Sequence, residues 1–159
     1  MDNINHFKIN GRITLDTALL HIAVGIFFLT LNLKTELLSQ KIVLLQLCAA
    51  IPLLLTSILS FIKAGYQENS NRWEFWGWFT YMLSYAFITN VVGVLIGKNL
   101  SIEISMIFFV VAILAALSYS ATDLLSNGKK HLKERIIKDL SFTLIVIILG
   151  VLVTLGVIG

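Results

Sequence analysis

Proline occurs once in this chain, at Pro52, and cysteine once, at Cys48. Charged residues make up 13% of its 159 positions, well below the roughly one quarter found in soluble domains. Each scarcity excludes something. A lone cysteine rules out an intramolecular disulfide and a cysteine-based metal cluster, and because Cys48 sits inside an apolar run it reads as a packing residue. The near absence of proline leaves long stretches in which a helix can run uninterrupted. There is no HExxH, no GxSxG, no Walker loop and no pair of carboxylates placed on one buried face. No catalytic residue, cofactor or metal is therefore expected, and nothing marks the chain as an enzyme. Nor is there an internal repeat, which disfavours a transporter built by duplication.

What fills the chain instead is apolar: 57% of it is hydrophobic. Five segments stand out, at 13–33, 42–62, 73–96, 104–125 and 137–158, each bounded by polar or charged residues. A helix rising 1.5 Å per residue needs about 20 residues to cross about 30 Å of hydrocarbon, so each segment is long enough to span. The expected fold is an all-α integral membrane protein, one compact bundle of about five transmembrane helices occupying residues 1–159. The first segment follows Lys8 and Arg12 as a signal peptide would. It exceeds an h-region of about 7–15 residues and lacks a small-x-small cleavage site after it, so it is expected to remain as a span.

Charge sets the expected orientation. The N-terminal segment and loops two and four carry nine of the twelve Lys and Arg residues, and loops one and three carry three. The positive-inside rule then places the N-terminus in the cytoplasm and the C-terminus outside, as in a bacterial or archaeal cytoplasmic membrane. The net charge of +3 is explained by topology, and no nucleic-acid partner is expected. Trp73, Trp76 and Trp78 cluster where the third span leaves the cytoplasmic headgroup layer, a favoured place for amphipathic rings. Loop 126–139, with Lys129, Lys130, Lys133 and Arg135 among Leu132, Ile136 and Ile137, can lie on anionic lipid or dock a protein partner at the cytoplasmic face.

Within the spans, small and polar side chains carry the information, because the helical backbone satisfies itself. His21, near the middle of the first span, is a functional-site candidate, since ionisable residues are costly at that depth. Thr17 shares its face of the first span, and counting places it at a depth similar to Thr80, Tyr81 and Ser84 on the third, a set able to form a proton relay or a polar solute site. Asn90, Gly93 and Gly97 share one stripe of the third helix, and the GxxxG suits either helix packing within the chain or a homo-oligomer face. Arg12, Asp16, Glu74 and Asp123 fall near the cytoplasmic surface, where Arg12 and Asp16 can pair four residues apart. Pro52 is expected to bend the second span. The fifth span, polar only at Thr143, Gly150 and Thr154, is expected to face lipid on most sides. Together these features suggest an oligomeric channel or transport-type protein with a polar site around His21. The alternative is a non-transporting accessory or effector subunit that docks a partner through loop 126–139.

Overall fold

The computed structural model of the chain describes residues 2–32, 38–66, 71–127 and 132–157, and these residues are helical apart from short turns. The helices are α1 (Asp2–Asn32), α2 (Leu38–Tyr66), α3 (Asn71–Asn99), α4 (Ile102–Asn127) and α5 (Leu132–Val146). The last of these continues through a π-helical turn, Ile147–Val151, into a final α turn, α6 (Leu152–Thr154). Among the described residues five segments are long and apolar enough to cross a membrane: Ile9–Leu31, Lys41–Tyr66, Asn71–Asn99, Ile102–Thr122 and Ile136–Thr154.

Several helices outrun the apolar segments that announced them. The i to i−4 ladder ends where a residue interrupts it, and a change in hydropathy does not interrupt it. Residues 2–12 contain no proline, so α1 begins eleven positions ahead of the expected first span. The basic loop is likewise shortened, because α5 already runs from Leu132. α2 passes through Pro52, whose carbonyl accepts a hydrogen bond from the Thr56 hydroxyl at 2.8 Å. Where ladders do stop, the causes are visible. Leu100 and Ser101 alone separate α3 from α4, and Ser101 caps α4 by accepting the Ile104 N–H at 3.2 Å. At the other end Gly156 takes φ 72°, and Val157 N–H bonds back to the Leu152 carbonyl at 3.0 Å. That is a Schellman stop, which needs the left-handed backbone that glycine adopts at no steric cost.

The chain divides into two compact units whose boundary lies inside α3: Met1–Tyr85 and Ala86–Gly159. In the first, α1 and α2 pack along Ala23, Val43, Leu47, Ala50 and Leu54, with Phe61 and Ala64 closing the end near α3. Small residues at 23, 50 and 64 let the helix backbones approach, which matters in a bilayer because lipid is as apolar as leucine and packing supplies the attraction.

The second unit is organised around one ring. Phe109 of α4, 1% exposed, lies between Gly93 of α3 and Gly150 of the π-helical turn. A methyl group placed on Gly93 would fall 2.2 Å from Phe109 Cζ, and one on Gly150 would fall 2.7 Å from Phe109 Cε1 and 2.6 Å from Asn90 Oδ1. Both glycines are thus spaces that the ring and the amide occupy. The Ser105 hydroxyl, one turn before Phe109, donates to the Gly93 carbonyl at 2.7 Å and ties the same two helices.

The fifth span was expected to face lipid on most sides, and with 22% of its apolar window buried it does face outward over most of its surface. Its inward side is a stripe of Phe142, Val146, Gly150 and Val153, and the fourth span is more outward-facing still, with 11% buried. An aliphatic composition disguised the stripe, because inward and outward residues are then chemically alike. The expectation for Cys48 is corrected: it faces outward and does not pack within the chain.

Candidate functional site

The residues proposed around His21 do not close on one another. His21 is exposed, and its Nδ1 lies 2.8 Å from the Thr17 carbonyl of its own helix. Thr17 in turn donates to the Ile13 carbonyl at 2.7 Å. Across the unit, Thr80 and Ser84 are buried and back-bond within α3, Thr80 to the Trp76 carbonyl and Ser84 to those of Thr80 and Tyr81. The Tyr81 ring stacks on Tyr85 and meets Trp78 edge-on. Counting along a helix addresses depth and says nothing of the direction in which His21 points. A hydroxyl that bonds the carbonyl four residues back also needs no partner on another helix, so a polar stripe is weak information about what lies opposite it.

A different polar centre does form in this unit, around Asp16. α1 turns Asp16 inward, where it is 1% exposed. At 1.5 Å per residue it lies about 10 Å beyond Ile9, the start of the apolar segment, and so inside the span. The Ser57 hydroxyl of α2 is the polar group beside it. Ser57, itself fully buried, donates its one proton to the Gly77 carbonyl of α3 at 2.8 Å. Gly77 makes that approach possible: a methyl group there would fall 3.0 Å from the Phe61 ring. Carboxyl, hydroxyl and carbonyl from three helices thus meet in one small volume. Asp16 Oδ2 is buried without a hydrogen-bond partner.

Arg12 was expected to pair with Asp16. Its guanidinium instead lies over two rings, 4.6 Å from the Trp78 centroid and 5.3 Å from that of Phe61. It acts on the carboxyl through its field. The geometry is a cation–π contact, which holds a planar cation while leaving the carboxylate unneutralised by direct contact. A similar contact occurs nearby, with Lys63 Nζ 4.3 Å from the Trp73 centroid. Two of the three tryptophans therefore hold cations, while Trp76 points outward with Phe75 and Phe79 beside it. Glu74 stands half-buried in the first turn of α3.

The second unit holds its own polar contacts. Asn90, completely buried, donates through Nδ2 to the Ile145 carbonyl at 3.2 Å, while its Oδ1 has no partner. Ile145 immediately precedes the last α residue before the π-helical turn, where widening of the ladder redistributes carbonyl partners, so the amide serves backbone that the turn disturbs. Gly97 is also filled from within the chain, with Thr154 Cγ2 2.6 Å and Ser105 Cβ 3.2 Å from where a methyl would sit. The stripe of Asn90, Gly93 and Gly97 is thus occupied by α4 and the C-terminal helix and is not a free oligomer face. Sequence reasoning missed the hydrogen bond from the Ser120 hydroxyl to Asp139, which links α4 to α5. Asp139 was counted as the last residue of a loop, and α5 carries it into the packed region.

Asp123 lies in α4, but its side chain is outside the described residues. Lys129 and Lys130 are also outside them, and Lys133 and Arg135 are placed as positions on α5 only. Among the described residues no group of three or more His, Cys, Asp or Glu side chains gathers to hold a metal ion. Comparison of the chain with family models, curated proteins and solved structures finds no match.

Proposed function

We propose that this chain is a transport- or channel-type membrane protein whose working polar site is Asp16 with Ser57 and the Gly77 carbonyl. The observation that carries this reading is the buried, unpartnered Asp16 Oδ2 inside a span. An ionised side chain at the centre of a membrane helix costs about 2.5–3.5 kcal/mol on insertion scales, and such residues mark ion and proton pathways. A carboxyl retained only to hold helices together would be expected to take its strongest partner directly. Here the nearest cation rests on aromatic rings. With the positive-inside rule, the Asp16 end of the unit faces the cytoplasm of a bacterial or archaeal cell and the C-terminus faces out.

The protein acts as an oligomer in this reading, and His21 carries that part. An imidazole exposed near mid-span meets lipid unless another chain covers it. Thr14, Ala18, His21, Gly25 and Phe28 are all exposed and recur at alternating spacings of four and three, the seam of a left-handed helix pair. A methyl placed on Gly25 meets nothing within 4 Å in the chain, so this glycine makes no close approach within its own bundle. A second copy supplies a matching seam and a second imidazole. Gly25→Leu and His21→Leu should each lower the particle mass in detergent toward that of one chain. An unchanged mass in both would place the oligomer contact elsewhere.

Proteoliposomes test the transport reading. Proton, potassium and chloride fluxes down imposed gradients are followed with entrapped dyes, for the parent protein and for Asp16→Asn. We expect flux of at least one ion in the parent and a loss of tenfold or more in the variant. Absence of all three fluxes in the parent would instead favour the accessory-subunit reading.

A further inference from the structure

We propose that Asp16 is a proton-binding site, holding a proton in the packed state of the bundle and releasing it when the carboxyl leaves Ser57. This rests on the reading of Asp16 as the working residue and names the species it binds. What decides it is a count of partners. Asp16 is 1% exposed and its Oδ2 has no hydrogen-bond partner. Ser57 has a single hydroxyl hydrogen and two acceptors beside it, the Asp16 carboxyl and the Gly77 carbonyl at 2.8 Å, which also takes the Thr80 hydroxyl at 3.2 Å. An ionised carboxyl therefore has at most that one hydroxyl for two enclosed oxygens, and a buried charge so poorly partnered is relieved by taking up a proton. As a carboxylic acid Asp16 places its O–H on the Ser57 oxygen and completes a chain from Asp16 to Ser57 to the Gly77 carbonyl, every link with a donor and an acceptor.

The surroundings of the site support a proton over a larger cation. Phe61 lies against Gly77, 3.0 Å from where a methyl group would sit there, and meets Trp78 edge-on, so the groups beside the Gly77 carbonyl are aromatic rather than oxygen donors. A metal ion would need several oxygen ligands, whereas a proton needs one acceptor. Arg12 is the charged group acting on Asp16 from α1. The nearest ionisable groups on the other two helices are Lys63, six residues beyond Ser57 and turned onto Trp73, and Glu74, three residues before Gly77. Release is then simple to balance. The O–H of Asp16 breaks, the proton passes to water at the α1 N-terminal end, and the carboxylate left behind, costly where it is buried, is favoured where water and the charge of Arg12 reach it. The protonated and ionised forms favour different positions of α1 against α2, which is the property a coupled transporter needs.

Infrared spectroscopy of the full chain in lipid nanodiscs, with aspartate carboxyl carbons isotopically labelled, reads this directly and without any flux. At about pH 7, well above the ordinary aspartate range, we expect a protonated-carboxyl carbonyl band that is absent from Asp16→Asn. In Ser57→Ala the band should persist and move to higher frequency, because the acid has lost its acceptor. A parent spectrum with only carboxylate bands, or a protonated band that survives in Asp16→Asn, would overturn the proposal. Should Asp16→Asn not fold, an unmoved band in Ser57→Ala would overturn it equally. A protonated Asp16 in a protein that carries no ion would refute the transport reading alone. An ionised Asp16 in a protein whose flux depends on that residue would refute the proton assignment alone.

Discussion

Gly93→Leu is expected to prevent assembly of the second unit. Even the first added carbon would lie 2.2 Å from Phe109 Cζ, 2.4 Å from Cε1 and 2.9 Å from Cε2, so three atoms of one buried ring stand in its way. A flexible side-chain tip could swing clear, but Phe109 is enclosed on its other side by Gly150. Overpacking a filled interior costs typically about 1–3 kcal/mol and more where no rotamer relieves it, and a leucine here should reach or exceed the upper end. The expected readout is loss of folded protein, or a large fall in the denaturant midpoint, in lipid or mild detergent. Gly11→Ala, whose added methyl meets nothing in the chain, should be neutral or stabilising by up to about 1 kcal/mol through its better helix propensity. A Gly93→Leu variant as stable as the parent would show that the ring does not occupy that space.

Phe109→Ala should be the next most damaging change, and its size separates two contributions. In water-soluble proteins Phe→Ala costs about 3–5 kcal/mol, part of it transfer from water and part the cavity left behind. In a bilayer the transfer part largely vanishes, because an exposed ring meets lipid rather than water. About 2 kcal/mol is therefore expected, arising from lost contacts with Gly93 and Gly150 and from Asn90 losing its enclosure. The double variant Gly93→Ala with Phe109→Ala should be more stable than the sum of the two single effects implies, since the added methyl then enters the space the ring vacated. Strict additivity, measured by denaturant unfolding in one detergent, would remove the claim that these groups meet.

The membrane assignment and the helix count needed no tertiary information. Five apolar stretches of spanning length with hardly any proline admit few other structures, because a chain that must satisfy its backbone inside lipid has only the helix or the closed barrel available. Counting at 1.5 Å per residue converts position into an expected height, and it is on that count that His21, Thr80 and Ser84 were expected level and Asp16 near one end.

Direction was less legible. Asp16 and His21 lie five residues apart on α1, and the rule that ionisable residues face inward applied equally to both. The structure turns Asp16 in, 1% exposed beside Ser57, and His21 out, exposed with its ring on the Thr17 carbonyl of its own helix. Arg12 was assigned to Asp16 by sequence spacing, but an aromatic partner from another helix is invisible to any rule of i and i+4. Gly93 and Gly97 announced a close approach and not what approaches. Phe109 at Gly93, and Ser105 and Thr154 at Gly97, all from other helices, answered that.

The sequence alone thus determined that this chain forms five helices long and apolar enough to span a membrane, and on which of its segments the positive charge falls. These are consequences of local backbone geometry and of lipid as a solvent, both of which act residue by residue. Tertiary structure decided which of two ionisable residues is enclosed, which glycines are filled and by what, and that an aliphatic helix has a buried side. Those outcomes depend on shape matching between helices far apart in the chain, and in lipid that matching, rather than hydrophobicity, is what selects one packing over another.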